Sequence, residues 1–294
     1  MTNLIYTYDV EAPRKLVIAA HHDSKYFDSF PANEVSLNIV KRSADQQFIG
    51  ATDSAAPCSM MLDLAQALTP YLKARHGRLQ GGNPILTDKL DEETAAETTL
   101  QFIFLDGEEA FVDWTSTDSV YGARHLAEKW ESTYLPDRHP LNKRRYQPLP
   151  NVLDTIEHFV LLDLLGNEVS SIPSYFRETE WLHGRMKSAD LRLREKKLVE
   201  GDDWFKPRPL WSMSIGDDHE PVSHLERPET DCQFLHRGVN ILHIISVPFP
   251  DVWHKVSVSK SPRRMLMART TQVHFISQLS DDGTPFCAFS QQSI

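Results

Sequence analysis

The feature of the sequence that most constrains its fold is an apolar stretch, residues 100–105, that ends abruptly in acidic residues. The stretch reads LQFIFL, and a nearly continuous run of aromatic and branched residues favours a strand buried on both faces. Asp106, Gly107, Glu108 and Glu109 follow at once, and the glycine lets the backbone turn. Because ligands of open α/β sheets bind beyond the carboxyl ends of the strands, the sequence predicts an α/β fold with a site at this turn.

The same pattern recurs along the chain. Three further apolar stretches lead to histidine or aspartate, at residues 15–20, 158–162 and 238–245. Neighbouring parallel strands end at one edge of a sheet, so we expect the metal-capable side chains near these ends to converge. The expected members are His21, Asp53, Glu109, Asp163 and His254. Histidine and carboxylate without cysteine fit a zinc ion that acts in hydrolysis or as a Lewis acid.

Any one of the metal-capable residues, taken alone, is more often structural than functional. Asp53 or Ser54 is placed to cap a following helix, and an isolated Glu108-Glu109 pair is more often a solvated acidic loop. His243, in an apolar stretch, is more often a hydrogen-bonded core residue than a ligand. The occurrence of five metal-capable residues near strand ends is what favours a functional site.

Apolar residues at helical spacing predict helices over residues 60–72, 118–127, 181–197 and 265–279. Residues 75–98 contain Gly-Gly, Asn-Pro and a glutamate cluster, which predicts a surface loop.

The composition argues against several classes of function. The chain has 294 residues and a formal net charge of -10, which disfavours a general affinity for nucleic acid or for anionic membranes. We see no apolar run long enough to span a bilayer, and the opening residues do not have the pattern of a signal peptide. The three cysteines, Cys58, Cys232 and Cys287, are far apart and odd in number, so neither a disulfide framework nor a cysteine zinc site is expected.

Several sequence stretches together resemble a known enzyme family. They are HHDSKYF, FIGATDSAAPCSMMLDLAQAL, LQFIFLDGEEAF, DSVYGARHLA, FVLLDLLG, DDHEP and PFPDVWH. Their order, between Lys15 and His254, is similar to that of zinc-dependent glutaminyl cyclases (glutaminyl-peptide cyclotransferases) of the animal type, a branch of the M28 aminopeptidase fold. The resemblance implies a three-layer α/β/α sandwich with a mixed, mainly parallel central sheet, and a single catalytic domain over residues 1–294.

The resemblance also implies roles for individual residues. One zinc ion per chain would be held by Asp53, Glu109 and His254. The catalytic acid and base would be Glu108, with Asp163 and Asp217 in a hydrogen-bonded acid network behind it. The pocket for the N-terminal side chain would be shaped by Trp114, Ile215, Phe249 and Trp253.

The sequence departs from the family pattern at several points. The helices and edge strand that open the family fold have almost no counterpart before Lys15, so they are expected to be missing. Ala20 stands where secreted members have a cysteine, which rules out a disulfide to Cys58. Gly216 replaces a residue whose side chain usually hydrogen-bonds substrate, and residues 222–232 resemble an insertion beside the site.

The implied reaction converts an N-terminal glutaminyl residue to pyroglutamyl with release of ammonia. The implied partners are peptides and proteins with N-terminal Gln, with N-terminal Glu as a second candidate. We expect a monomer without stable membrane association. The family resemblance implies a place in the secretory pathway, although no signal peptide is recognisable.

Two other functions fit parts of the sequence. A two-zinc aminopeptidase would use His21 and Asp163 for a second ion, with Asp53 bridging both, and all three residues are present. A binding domain descended from an enzyme is the third possibility, and the intact acidic residues argue against it. The aromatic set Trp114, Phe249 and Trp253 favours the cyclase, because it suits a small closed pocket without room for an ordered attacking water.

Overall fold

The computed structural model describes residues 1–27, 50–80, 97–143, 149–167, 171–199, 203–205, 215–218, 234, 237–255 and 290–294. The strands in this part of the chain are β1 (Leu4–Thr7), β2 (Arg14–His21), β3 (Thr98–Leu105), β4 (Ile156–Asp163), β5 (Ile241–Ile245) and β6 (Ser290–Ser293). They form one sheet in the order β5-β4-β2-β3-β1-β6. The main helices are α1 (Ala56–Gln80), α2 (Tyr121–Ser132) and α3 (Glu180–Glu195).

Four neighbouring strands, β5, β4, β2 and β3, run parallel, while β1 is antiparallel to β3 and β6 is antiparallel to β1. The register aligns their carboxyl ends, since His21 lies opposite Leu105 and Asp163 lies opposite Ile245. The predicted mixed, mainly parallel sheet is therefore confirmed. The alignment brings the ends of β2, β3, β4 and β5 to one edge, where the candidate site lies.

Helices cover both faces of the sheet. Successive side chains of a strand point to opposite faces, and β2 shows how each face is filled. Val17 belongs to a buried cluster that includes Leu126 of α2, whereas Ile18 belongs to a cluster that includes Met61 of α1. Leu182 of α3 and Val160 of β4 both pack against a third cluster, which includes Leu242 of β5. Val160 also packs against the cluster that includes Met61. The sheet is thus sandwiched between α2 on one face and α1 with α3 on the other, as predicted.

One expectation about local structure is wrong in its bounds. Of the loop predicted over residues 75–98, residues 75–80 belong to α1 and Thr98 begins β3, and residues 81–96 lie outside the described residues. A strand, β1, precedes Lys15 and pairs with both β3 and β6, and the expected absence of the family's opening helices and edge strand stays a prediction. The predicted helix over residues 265–279 and the insertion over residues 222–232 lie outside the described residues. No helix of the described chain combines the length and apolarity needed to cross a membrane.

Candidate metal and catalytic centre

Three of the predicted site residues meet at the edge of the sheet, and we call them the outer cluster. Asp53 lies in the turn before α1, Glu109 follows β3, and His254 lies beyond β5. The Nε2 atom of His254 is 3.0 Å from Oε1 of Glu109 and 3.2 Å from Oδ2 of Asp53. One donor atom from each residue lies within 4.8 Å of the other two. The structure thus brings these side chains together, and their role as metal ligands stays a prediction.

A second group, the deep cluster, consists of His21, Asp53 and Asp163. The Nε2 atom of His21 is 2.9 Å from Oδ1 of Asp53 and 3.4 Å from Oδ1 of Asp163. Its Nδ1 atom is 3.4 Å from Oδ1 of Asp23, and Ser54 donates a hydrogen bond to Asp163. Asp53 and Ser54 therefore point into the site instead of capping α1, which makes the capping interpretation wrong. All members of the deep cluster are buried.

The two histidines are surrounded by negative charge. Burial lowers the pKa of His21, but the nearby carboxylates, Glu108 first, raise it well above its ordinary value. Burial also lowers the pKa of His254, and its contacts with Asp53 and Glu109 raise it to about 9. Without a metal, both histidines are therefore in the positively charged imidazolium form at neutral pH. Burial raises the pKa of Asp53, but hydrogen bonds with the two histidines outweigh burial and hold it below its usual range.

Glu108 lies within a set of buried acids. Burial raises the pKa of Glu108 well above its usual range, and the negative charges of Asp217, Asp218 and Glu109 raise it further. Burial and the charge of Asp217 likewise raise the pKa of Asp163 to about 6. A carboxyl group with a raised pKa can hold or release a proton near neutrality, which is what a general acid and base requires. Asp217 thus raises the pKa of both Glu108 and Asp163.

The backbone of the two glutamates is fixed by neighbouring groups. The carboxylate of Asp23 accepts hydrogen bonds from the N–H groups of Glu108 and Glu109, both at 3.1 Å. The N–H group of Val120, just before α2, donates to the carbonyl oxygen of Glu108 at 2.9 Å. These contacts define the direction in which each glutamate side chain leaves the turn.

Asn3 anchors the same turn from the other side and was missed by sequence reasoning. Its Oδ1 accepts a hydrogen bond from the N–H of Asp106 at 3.0 Å, and its Nδ2 donates to the carbonyl oxygen of Gly122 at 2.9 Å. A Cβ atom at Gly122 would lie 2.4 Å from the Asn3 oxygen and 2.2 Å from the Asp106 carbonyl oxygen. A glycine at the start of α2 therefore permits this close approach.

The sequence favoured a core role for His243 and a possible helix cap at Ser54, but both residues contact acids of the site. The Nε2 atom of His243, in β5, lies 2.8 Å from Oδ2 of Asp217, so the core histidine contacts one of the site acids. Ser54 hydrogen-bonds Asp163, as described above. The only sequence feature that could have indicated these contacts is position: Ser54 follows Asp53, and His243 lies in a strand that ends at the site.

The predicted pocket residues form two groups. The rings of Phe249 and Trp253 meet edge to face with centroids 5.0 Å apart, and Trp253 stacks on His254 at 4.3 Å. Ile215 and Phe249 pack against the same buried cluster. Trp114 is 37% exposed on the loop before α2, and among the described residues its ring does not contact Phe249 or Trp253.

The donor set of the outer cluster fits a zinc ion. Two carboxylates and one imidazole are hard or borderline ligands of the kind that catalytic zinc sites use. Oε2 of Glu109 is buried and has no hydrogen-bond partner among the described residues, and Nζ of Lys25 lies 3.8 Å away. Such a carboxylate oxygen is costly to bury unless another group compensates its charge, so a cation at this position would stabilise it.

The chain is similar to a known protein family and to several named proteins. The model of peptidase family M28 matches residues 3–258. A glutaminyl-peptide cyclotransferase of Bos taurus is 38% identical over 256 residues, which cover 86% of this chain and 58% of that protein. A protein of the same name from Drosophila melanogaster is 36% identical over 263 residues, which cover 86% of this chain and 56% of that protein. The chain thus spans a little over half the length of these relatives.

A solved structure extends the similarity to the fold. The crystal structure of Macrostomum lignano glutaminyl cyclase matches with a TM-score of 0.61 and 31% sequence identity. The match covers 94% of this chain and 70% of that chain.

Proposed function

The chain belongs to peptidase family M28. We propose that it converts N-terminal glutaminyl residues of peptides to pyroglutamyl residues with release of ammonia. Relatives at 36% and 38% identity are named for this reaction. The observation that carries the proposal is the position of Glu108, buried next to the outer cluster among acids that raise its pKa.

The proposed reaction needs one proton to move. The substrate's α-amine attacks its own γ-carboxamide carbon, so a C–N bond forms within the substrate and the bond to the amide nitrogen breaks. Glu108 would accept a proton from the attacking amine and deliver it to the departing nitrogen, which leaves as ammonia. Because the nucleophile belongs to the same molecule, the protein mainly has to fold and hold the side chain.

The remaining predicted residues have supporting roles. Asp217 would keep the pKa of Glu108 high enough for it to act first as a base and then as an acid. Asp163, whose own pKa is raised by the charge of Asp217, would belong to the acid network behind Glu108. The pocket residues, which are Trp114, Ile215, Phe249 and Trp253, would enclose the apolar part of the glutaminyl side chain and exclude water.

We propose zinc as the cofactor. Its ligands would be Asp53, Glu109 and His254, and when bound it would supply polarisation of the substrate's γ-carbonyl group. One zinc ion per chain, a monomeric state and a place in the secretory pathway remain predictions.

The test is an ammonia-release assay on Gln-β-naphthylamide, with and without a chelator. Glu108→Gln keeps the size of the side chain and removes its basicity, so we expect kcat to fall by about 10²–10⁴-fold with zinc still bound. Glu128→Gln removes an exposed glutamate from α2 and serves as the matched control, with unchanged kcat. Near wild-type cyclisation by a zinc-loaded Glu108→Gln variant would remove Glu108 from this role.

One observation favours a second candidate, a two-metal aminopeptidase. The donor atoms of the deep cluster lie within 4.8 Å of one another, and Asp53 is shared with the outer cluster. Two metal ions per chain, together with release of the aniline from a leucyl-anilide substrate and no cyclisation of Gln-peptides, would favour the aminopeptidase. One ion per chain and ammonia release would favour the cyclase.

A further inference from the structure

The exposed loop that follows the two glutamates is held by the carboxylate of Asp118. This carboxylate accepts hydrogen bonds from three consecutive backbone N–H groups, those of Phe111 and Val112 at 2.8 Å and that of Asp113 at 3.0 Å. The hydroxyl group of Tyr121 donates a fourth at 2.7 Å. These donors, Tyr121 first, hold the pKa of Asp118 below its usual range, so the side chain is ionised at neutral pH.

The backbone of Asp118 holds the other half of the loop. Its N–H group donates to the hydroxyl oxygen of Thr115 at 2.9 Å, and the Thr115 N–H group donates to the Asp118 carbonyl oxygen at 3.4 Å. The side chain of Asp118 thus binds the residue before Trp114, and its main chain binds the residue after it. Asp118 therefore fixes the backbone on both sides of Trp114.

Apolar burial contributes little to the conformation of this loop. Phe111 and Val112 are 54% and 80% exposed, and Trp114 is 37% exposed. Where few apolar contacts fix a segment, its polar contacts decide which conformation is populated. Three converging N–H groups form a concave site for a negative charge, which a carboxylate fills and an amide fills less well. Asparagine at position 118 would turn an NH₂ group towards at least one of these donors.

We propose that Asp118 is a positioning residue, which orients Trp114 towards the N-terminal residue of the substrate and thereby sets KM. This inference rests on the proposed cyclase function. Asp118 makes its described hydrogen bonds within residues 111–121 and none with the outer cluster or with Glu108. Its loss is therefore expected to weaken binding of the substrate while leaving proton transfer and metal binding intact, which raises KM without lowering kcat.

The test compares Asp118→Asn with Asp113→Asn in a steady-state assay on a Gln-peptide. Both variants remove one carboxylate from the same loop, that of the half-buried Asp118 or that of the exposed Asp113. We expect Asp118→Asn to raise KM by about tenfold with kcat within about threefold, since displacing Trp114 from its proposed place in the substrate pocket would weaken binding. We expect Asp113→Asn to leave KM within about twofold. Tyr121→Phe removes one of the four hydrogen bonds and should raise KM by about two- to threefold.

A double-mutant cycle with Trp114→Ala tests whether Asp118 acts through Trp114. In the Trp114→Ala background, Asp118→Asn is expected to change KM by less than about twofold. An equal rise of KM in both backgrounds would show that Asp118 acts elsewhere, and an equal effect of Asp113→Asn would assign the change to loop charge. Both results overturn the inference.

The experiment separates this inference from the function on which it rests. If the wild-type protein cyclises Gln-peptides and KM of Asp118→Asn is unchanged, the inference fails and the cyclase proposal stands. If the wild-type protein releases no ammonia, the cyclase proposal fails and takes the inference with it. Circular dichroism and zinc content of each variant establish that the fold and the site are retained.

Discussion

The two clusters that share Asp53 contain similar groups in different surroundings. In the outer cluster, His254 is 27% exposed and stacks on Trp253 at the surface of the site. In the deep cluster, the side chain of His21 is 1% exposed, and both ring nitrogens face carboxylates. Each cluster has the donor types of a metal site.

The difference between the clusters indicates where a cation fits. The nearby carboxylates raise the pKa of His21, so its imidazolium already supplies positive charge to the deep cluster. A metal would have to displace a proton from the histidine of either cluster, but in the deep cluster that histidine is buried. In the outer cluster, the histidine reaches solvent and Oε2 of Glu109 has no hydrogen-bond partner among the described residues. The comparison favours one metal in the outer cluster, with the deep cluster as its electrostatic support.

The largest expected effect is that of His254→Ala. The substitution removes one of three proposed ligands, so zinc content should fall from about one ion per chain to near zero. Cyclisation should fall by at least about 10³-fold, because both the polarising cation and the geometry of the site are lost. Metal analysis after gel filtration and the ammonia-release assay measure the two effects. Retention of one tightly bound zinc ion would contradict the assignment of the outer cluster.

A smaller effect is expected for His21→Gln, which changes the deep cluster. Glutamine can still donate a hydrogen bond to Asp53 but carries no charge. We expect zinc to remain at one ion per chain and activity to fall by about 10–100-fold, the range for groups that orient a metal ligand. If the wild-type protein binds two zinc ions and His21→Gln binds one, the conclusion that only the outer cluster holds a metal is wrong.

The two histidines should also differ in their response to pH. In the metal-free protein His254, with a pKa of about 9, is protonated at pH 7. Zinc requires its neutral Nε2, so binding releases this proton and is opposed at low pH. The zinc Kd should therefore fall by about tenfold per pH unit from pH 7 to about 9 and level off above it. Titration calorimetry in buffers of different ionisation enthalpy should show one proton released per zinc, and two would implicate His21.

The sequence predicted the parts of this arrangement that depend on local pattern. Three parallel strands were predicted from the run at residues 100–105 and from the apolar stretches before His21 and Asp163. The residues near the ends of these strands were predicted to converge, and the structure brings them together. Residues 4–7 form a strand too short to be recognised by alternation, and it is stabilised by pairing with β3 and β6. Pairing partners distant in the chain leave little trace in a local pattern.

Contacts within the site were less predictable than the residues themselves. Asn3 lies more than 100 residues from Asp106 and Gly122, and its hydrogen bonds to them depend on how β1 docks beside β3. The division between outer and deep clusters depends on burial, which sequence spacing does not give. The resemblance supplied roles, but the different surroundings of His21 and His254 became visible only in three dimensions.

The smallest expected effect is that of Cys58→Ala, beneath the deep cluster. The buried thiol donates to the carbonyl oxygen of His21 at 3.1 Å, and burial raises its pKa to about 12, so it stays protonated. Ala20 packs in the same cluster, and Cys58 is a free cysteine. Losing the sulfur should lower the free energy of unfolding by about 1–2 kcal/mol through lost packing and one lost hydrogen bond.

Thermal and urea unfolding measure the Cys58→Ala effect, with Ser59→Ala on the next, half-buried position as the control at about 0.5 kcal/mol or less. Zinc content and kcat should stay within about twofold of wild type, because Cys58 supports His21 through packing rather than through charge. If Cys58→Ala instead releases zinc, the deep cluster belongs to the metal site itself. The contrast between the two clusters would then have to be given up, even if the outer ligands are correct.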